Sequence, residues 1–261
     1  MRSAILPCYS NGKGFPLIRV FQTSTSSLLL GILSFFLPDT PPNRQASPGL
    51  SATLGFDALF LFKRRSFVVF FLASIAVCIP LSFYYNFTNP FLNDVGMEHA
   101  AGKMTLGQFS EFAFMLLIPF AFRRLGVKAM IAIGVLAWVV RYVLFAYGNV
   151  ADGAWMLYLG ILLHGLCYDF FFVTGQIYTD RQAGMAVKNA AQGLITFATY
   201  GVGMFIGSYA SGVLTAVFAT PGEAMQYDWR GVWLVPAGIS ILIFILFLLI
   251  FKEDSEQTND K

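Results

Sequence analysis

Asp169 lies in the stretch LLHGLCYDFFFVTGQ, residues 162–176, inside a run from about Trp155 to Tyr178 that is apolar and long enough to cross a bilayer. A carboxylate near the centre of such a helix costs roughly 3 kcal/mol on insertion scales, so the fold must offset that cost or use it. Glu111, in GQFSEF, poses the same problem, and these two are the only acids of the chain's fourteen that fall inside apolar stretches. The chemistry open to a carboxyl there is narrow: it can form an ion pair, accept hydrogen bonds from a polar ligand, or load and release a proton. Gln108 precedes Glu111 by three residues, so a helix presents both on one face. His164, five residues before Asp169, adds an imidazole that could be a second proton site or a polar wall residue.

These groups need membrane helices to position them. Of the 261 residues, 57% are hydrophobic and only 12% charged, about half the charged fraction of a soluble domain. The charges cluster in short patches between long apolar runs, the pattern of an all-α integral membrane protein. Seven spans are expected, at about 17–37, 66–89, 104–122, 128–147, 155–178, 190–217 and 230–251. Connectors at 123–127 and 148–154 leave room only for helical hairpins. Cys8, Cys78 and Cys167 show no metal-ligand spacing, and nothing in the basic residues suggests nucleic-acid binding. The N-terminus does not read as a cleaved signal peptide, because Pro7 and the Asn11-Gly12-Lys13-Gly14 cluster interrupt it before an apolar core forms.

Basic residues orient the last six spans. Arg44, Lys63, Arg64, Arg65, Arg123, Arg124, Lys128, Arg181, Lys188, Lys252 and Lys261 fall on one side and only Lys103 and Arg230 on the other, so the first group is expected to face the cytoplasm, with the C-terminus. The 17–37 span fits less well, since Arg2, Lys13 and Arg19 flank its entry and the polar run Thr23-Ser24-Thr25-Ser26-Ser27 fills its first half. One explanation is that this helix belongs to a longer bundle and begins the chain here by truncation. The expected organisation is an N-terminal remnant over 1–37, a Pro- and Ser-rich cytoplasmic linker over 38–65, a six-helix bundle over 66–251 and a tail over 252–261.

Four segments, GQFSEFAFMLLIPFAFRRLGVK, AWVVRYVLFAYGN, HGLCYDFFFVTGQIYTD and KNAAQGLITFATYGVGMFIGSYASG, occur in this order and spacing. Together they resemble the nucleoside:proton symporter family of the major facilitator superfamily, the bacterial nucleoside permeases, over roughly residues 17–251. The resemblance implies the C-terminal six-helix half of a twelve-helix transporter, preceded by the last helix of the first half. It further implies a nucleoside substrate, a proton as coupling ion with no other cofactor, a bilayer of the cell inner membrane, and a partner in the form of a missing N-terminal half or a second copy. Substrate and coupling ion in such repeats meet near the midplane.

The resemblance also assigns residues. Gln108 and Glu111 match the family's amide and acid one turn apart, Asp169 its acid in the tenth helix, and Tyr168 an aromatic position where a ring could stack on a base or simply pack. His164 departs from the aromatic residue expected there. Ser82 and Tyr85, in LSFYYNFTNPFL, stand where the family tends to present amides. At 1.5 Å per residue, Arg141 lies about 20 Å from the inner end of its span and Glu111 about 18 Å from the inner end of the one before. A Glu111–Arg141 pair is therefore expected, leaving Asp169, with no basic residue at its own depth, as the better candidate for proton carrier.

Other classes are less well supported. An intramembrane aspartyl protease needs a second aspartate in a Gly-x-Gly-Asp context, which the chain does not have. A retinal protein needs a lysine in the last span, and 230–251 contains none. No catalytic residues are assigned, so the chain is read as a non-enzyme. The alternatives left are an inactive or structural fragment of a disrupted transporter gene, and a major facilitator transporter of another small polar substrate such as a sugar.

Overall fold

A computed structural model describes residues 15–38, 56–220 and 226–253. Residues 1–14 of the expected N-terminal segment, 39–55 of the expected linker and 254–261 of the tail lie outside the described residues. The chain divides into two units, Met1–Ser47 and Pro48–Lys261. The first contains helix α1, Phe15–Ser34, whose last hydroxyl, Ser34 Oγ, donates to the Gly31 carbonyl at 2.6 Å.

The second unit opens with a 3-10 helix, Phe56–Lys63, that buries Ala58 and Leu61. Six membrane-length helices follow among the described residues. They are α2, Arg65–Asp94; α3 and α4, residues 100–125 and 127–147 of one element, Ala100–Tyr147, that breaks at Gly126; α5, Ala154–Met185; α6, Val187–Val217; and α7, Trp229–Ile250. Gly126 has φ 72° and Gly184, at the end of α5, has φ 66°, so both hairpins turn through a left-handed conformation open to glycine. Two short antiparallel strands, β1 Ala219–Thr220 and β2 Gln226–Tyr227, link α6 to α7. Asp228 then caps α7 by accepting the Gly231 N–H at 3.3 Å.

Successive reversals gather the basic helix ends at one end of the bundle. There Arg64 Nη1 donates to Gln182 Oε1, Arg181 lies 4.4 Å from the Phe122 ring and Lys128 Nζ donates to the Leu248 carbonyl at 3.0 Å. At the other end Trp229 Nε1 donates to Asp94 Oδ2 at 3.1 Å, and Arg230 donates to Tyr147 OH at 3.1 Å. The expected hairpins and six-helix bundle are thus present.

Hydrocarbon offers backbone and hydroxyl groups no water, so they must be paired internally. Ser74, Cys78 and Ser82, spaced by four on α2, each donate to the carbonyl one turn back, at 2.9, 3.2 and 2.8 Å. That compact stripe meets α6 at Gly203 and Gly207, where a Cβ would come 2.8 Å from Cys78 Cβ and 2.4 Å from Ser82 Oγ. Small residues here permit the helices to approach closely. On the other side of α2, Tyr142 OH donates to the Pro80 carbonyl at 2.5 Å. Tyr142 stacks on Trp233 of α7 with centroids 5.8 Å apart and planes 10° from parallel.

Candidate functional site

The site begins with the contact of α3 and α5. Gly165 lies flat on α3: a Cβ there would sit 2.4 Å from the Glu111 nitrogen and the Ser110 carbonyl carbon, and the Gly165 N–H donates to Ser110 Oγ at 3.0 Å. One turn earlier on α3, a Cβ on Gly107 would meet His164 Cβ at 3.2 Å. These small residues bring His164 beside Glu111, with Nε2 3.8 Å from Oε2. On the far side of the ring, Arg141 Nη1 lies 3.2 Å from Nδ1.

Arg141 is fully buried. Its guanidinium carbon lies 3.4 Å from the centroid of the Tyr84 ring, and Tyr84 in turn stacks on His164 with centroids 5.1 Å apart. A desolvated cation over an aromatic face gains about 2 kcal/mol or more, which offsets much of the cost of a charge at this depth. The direct Glu111–Arg141 pair expected from depth is not formed. Equal depth places both groups in one layer, but α5 inserts the His164 imidazole between them, and the contact becomes a chain from Glu111 through His164 to Arg141.

Asp169 has a different setting. It starts a π-helical turn, Asp169–Val173, is fully buried, and has no hydrogen-bond partner among the described residues for either carboxylate oxygen. Phe170, Phe171 and Phe172 after it are buried as well. Glu111 lies near enough to act on Asp169 electrostatically. A π turn is a local insertion in the helical ladder, found often where a side chain must be turned to a task. A second π-helical stretch, Phe197–Gly203, occurs in α6, and the Tyr168 and Tyr200 hydroxyls join the two at 2.6 Å.

The rim of the constellation is polar and open. Gln108 and Tyr85 are exposed, Glu111 and Tyr168 half-buried, and Tyr85 is within electrostatic range of Tyr200, Arg141 and Glu111. Ser82 is placed differently: its hydroxyl donates to the Cys78 carbonyl and lies 3.6 Å from Met204 Sδ, toward α6. The structure therefore brings Glu111, His164, Tyr168, Asp169 and Tyr85 into one neighbourhood, keeps Gln108 on the exposed side of α3, and turns Ser82 toward a helix contact. Sequence reasoning missed Tyr84 and Tyr200. Tyr84 adjoins Tyr85 in SFYYNF, but nothing in spacing distinguishes the ring that holds a cation from its neighbour. The arrangement offers a fixed cation, a carboxylate reached through an imidazole, four phenols, and one carboxyl with no hydrogen-bond partner among the described residues.

Residues 15–256 match the family profile described as nucleoside H+ symporter. YegT of Escherichia coli (strain K12), named for nucleoside transport, is 42% identical over 251 residues, covering 94% of this chain and 59% of YegT. The xanthosine permease and the nucleoside permease NupG of the same strain are 30% and 31% identical, over 94% and 92% of this chain and 60% of each relative. A crystal structure of the nucleoside transporter NupG, in an Asp-to-Ala variant, superposes with a TM-score of 0.78 at 30% identity, over 90% of this chain and 61% of NupG. The chain thus spans about 60% of the length of the relatives it matches.

Proposed function

The chain is a multi-pass membrane protein that belongs to the nucleoside H+ symporter family, and from that membership we propose that it supplies one wall of a proton-coupled nucleoside transporter in the cell inner membrane. The basic end of the bundle, with the C-terminus, faces the cytoplasm. The opposite wall of the substrate site comes from a facing half or a second copy, and the two rock about the bound nucleoside. No cofactor beyond the coupling proton takes part, and no covalent bond of the substrate is made or broken.

The observation that carries this reading is the unlike setting of the two intramembrane acids. Glu111, linked to Arg141 through His164, is an acceptor suited to a ribose hydroxyl. Gln108, one turn away, offers an amide to the base or sugar. Tyr168 and Tyr85 contribute a stacking face and hydroxyls, with Ser82 supporting the α2–α6 contact behind them. Asp169 has no hydrogen-bond partner among the described residues to stabilise its charge and is the group that loads and releases the proton. A carboxyl neutral for part of the cycle reduces the cost of keeping it in the membrane.

The test is uptake of radiolabelled uridine and adenosine into proteoliposomes under an inward proton gradient. The chain is assayed alone and completed at its N-terminal side by the matching segment of NupG, with that segment alone as control. Accumulation by the completed chain only, abolished by a protonophore, is the expected result. Accumulation that ignores the proton gradient would contradict symport.

A further inference from the structure

We propose that His164 is a positioning residue that transmits Arg141 to Glu111, and that it does not carry the coupling proton; the inference deepens the transport reading and rests on it for its binding consequence alone. A guanidinium has only N–H donors and remains charged in proteins. The ring nitrogen 3.2 Å from Arg141 Nη1 must therefore accept, so Nδ1 is unprotonated and the neutral ring carries its proton on Nε2. Nε2–H then faces Glu111, whose Oε2 lies 3.8 Å away, beyond a direct hydrogen bond here and near enough to form one when substrate closes the site.

The groups around the ring agree with this assignment. Arg141 approaches from α4, Glu111 from α3 and Tyr84 from α2, while Tyr168 stands one turn along α5 with its centroid 5.9 Å from the imidazole. The Cys167 thiol adjoins Arg141. A proton added at Nδ1 would put a second positive charge 3.2 Å from the guanidinium and remove the acceptor it uses. The stack on Tyr84 fixes the ring plane. His164 therefore works as a rigid neutral link in which Nδ1 accepts from Arg141 and Nε2–H is left to face Glu111.

The chain has only two histidines, and the other, His99, is exposed. With His99→Gln and histidine labelled with nitrogen-15, the protein in lipid nanodiscs reports His164 alone. The expected spectrum has Nδ1 in the unprotonated range and Nε2 in the protonated range, unchanged from about pH 5 to about pH 8, the interval in which a free imidazole titrates. Glu111→Gln should preserve that pattern and Arg141→Gln should abolish it. A cationic ring, an Nδ1–H tautomer, or a pattern indifferent to Arg141→Gln would overturn the proposal.

Calorimetric binding of uridine to the NupG-completed chain gives the second readout. His164→Phe keeps the stack on Tyr84 but has neither nitrogen, and should weaken binding about tenfold. His164→Gln retains one acceptor and one donor and should stay within about threefold of the parent. Equal loss in both variants, or none in His164→Phe, contradicts the relay. Absence of uridine binding by the parent would overturn the transport reading, and the ring-nitrogen spectrum alone would then decide the relay.

Discussion

Glu111 and Asp169 are both acids in membrane helices, yet the bundle treats them oppositely. Around Glu111 it assembles a cation, an imidazole and an aromatic face, with glycines to draw α3 and α5 together. Asp169 is buried with neither oxygen hydrogen-bonded by any described residue. The difference separates an acid whose charge belongs to the fold from one whose charge has no structural sponsor. Only the second can lose and regain its proton without disturbing what surrounds it.

The contrast can be broken by substitution. Gly165→Leu should have the largest effect, since even a Cβ would stand 2.4 Å from the Glu111 nitrogen and the Ser110 carbonyl carbon. The α3–α5 contact must then open, and the expected outcome is loss of folded protein on size-exclusion chromatography in detergent. Arg141→Ala should follow, at about 3–5 kcal/mol of destabilisation, because it leaves the rest of a buried polar chain without its cation. Equilibrium unfolding in mixed micelles measures it. Glu111→Gln should cost less, about 1–3 kcal/mol, as it uncouples the charge of Arg141 but keeps an acceptor in place. Asp169→Asn should change stability least, by less than about 1 kcal/mol, because no partner is lost. Equal destabilisation by Glu111→Gln and Asp169→Asn in the same assay would erase the distinction.

Much of the bundle was legible in the sequence because hydropathy reports depth. The spans at 66–89 through 230–251 correspond to α2–α7, and the RRLGVK hairpin turns at Gly126. Depth also placed Glu111 and Arg141 in one layer. It did not report rotation about the helix axes, so it could not show that α5 brings His164 between them. The π-helical turns at Asp169 and Phe197 were invisible for another reason: no residue type marks them. Ser82 illustrates a third limit. The resemblance set its hydroxyl where the family presents an amide, whereas the backbone carbonyl of Cys78 takes it first.

The central claim, that Asp169 carries the coupling proton, is tested most directly by comparing two modes of transport in the NupG-completed chain. Asp169→Asn mimics the protonated acid. Exchange of internal for external uridine, which needs only the loaded carrier, should persist at a rate near the parent's. Accumulation driven by an inward proton gradient should be lost. If Asp169→Asn still concentrates uridine on the proton gradient, the unpaired carboxylate is a structural acid and the proton travels elsewhere.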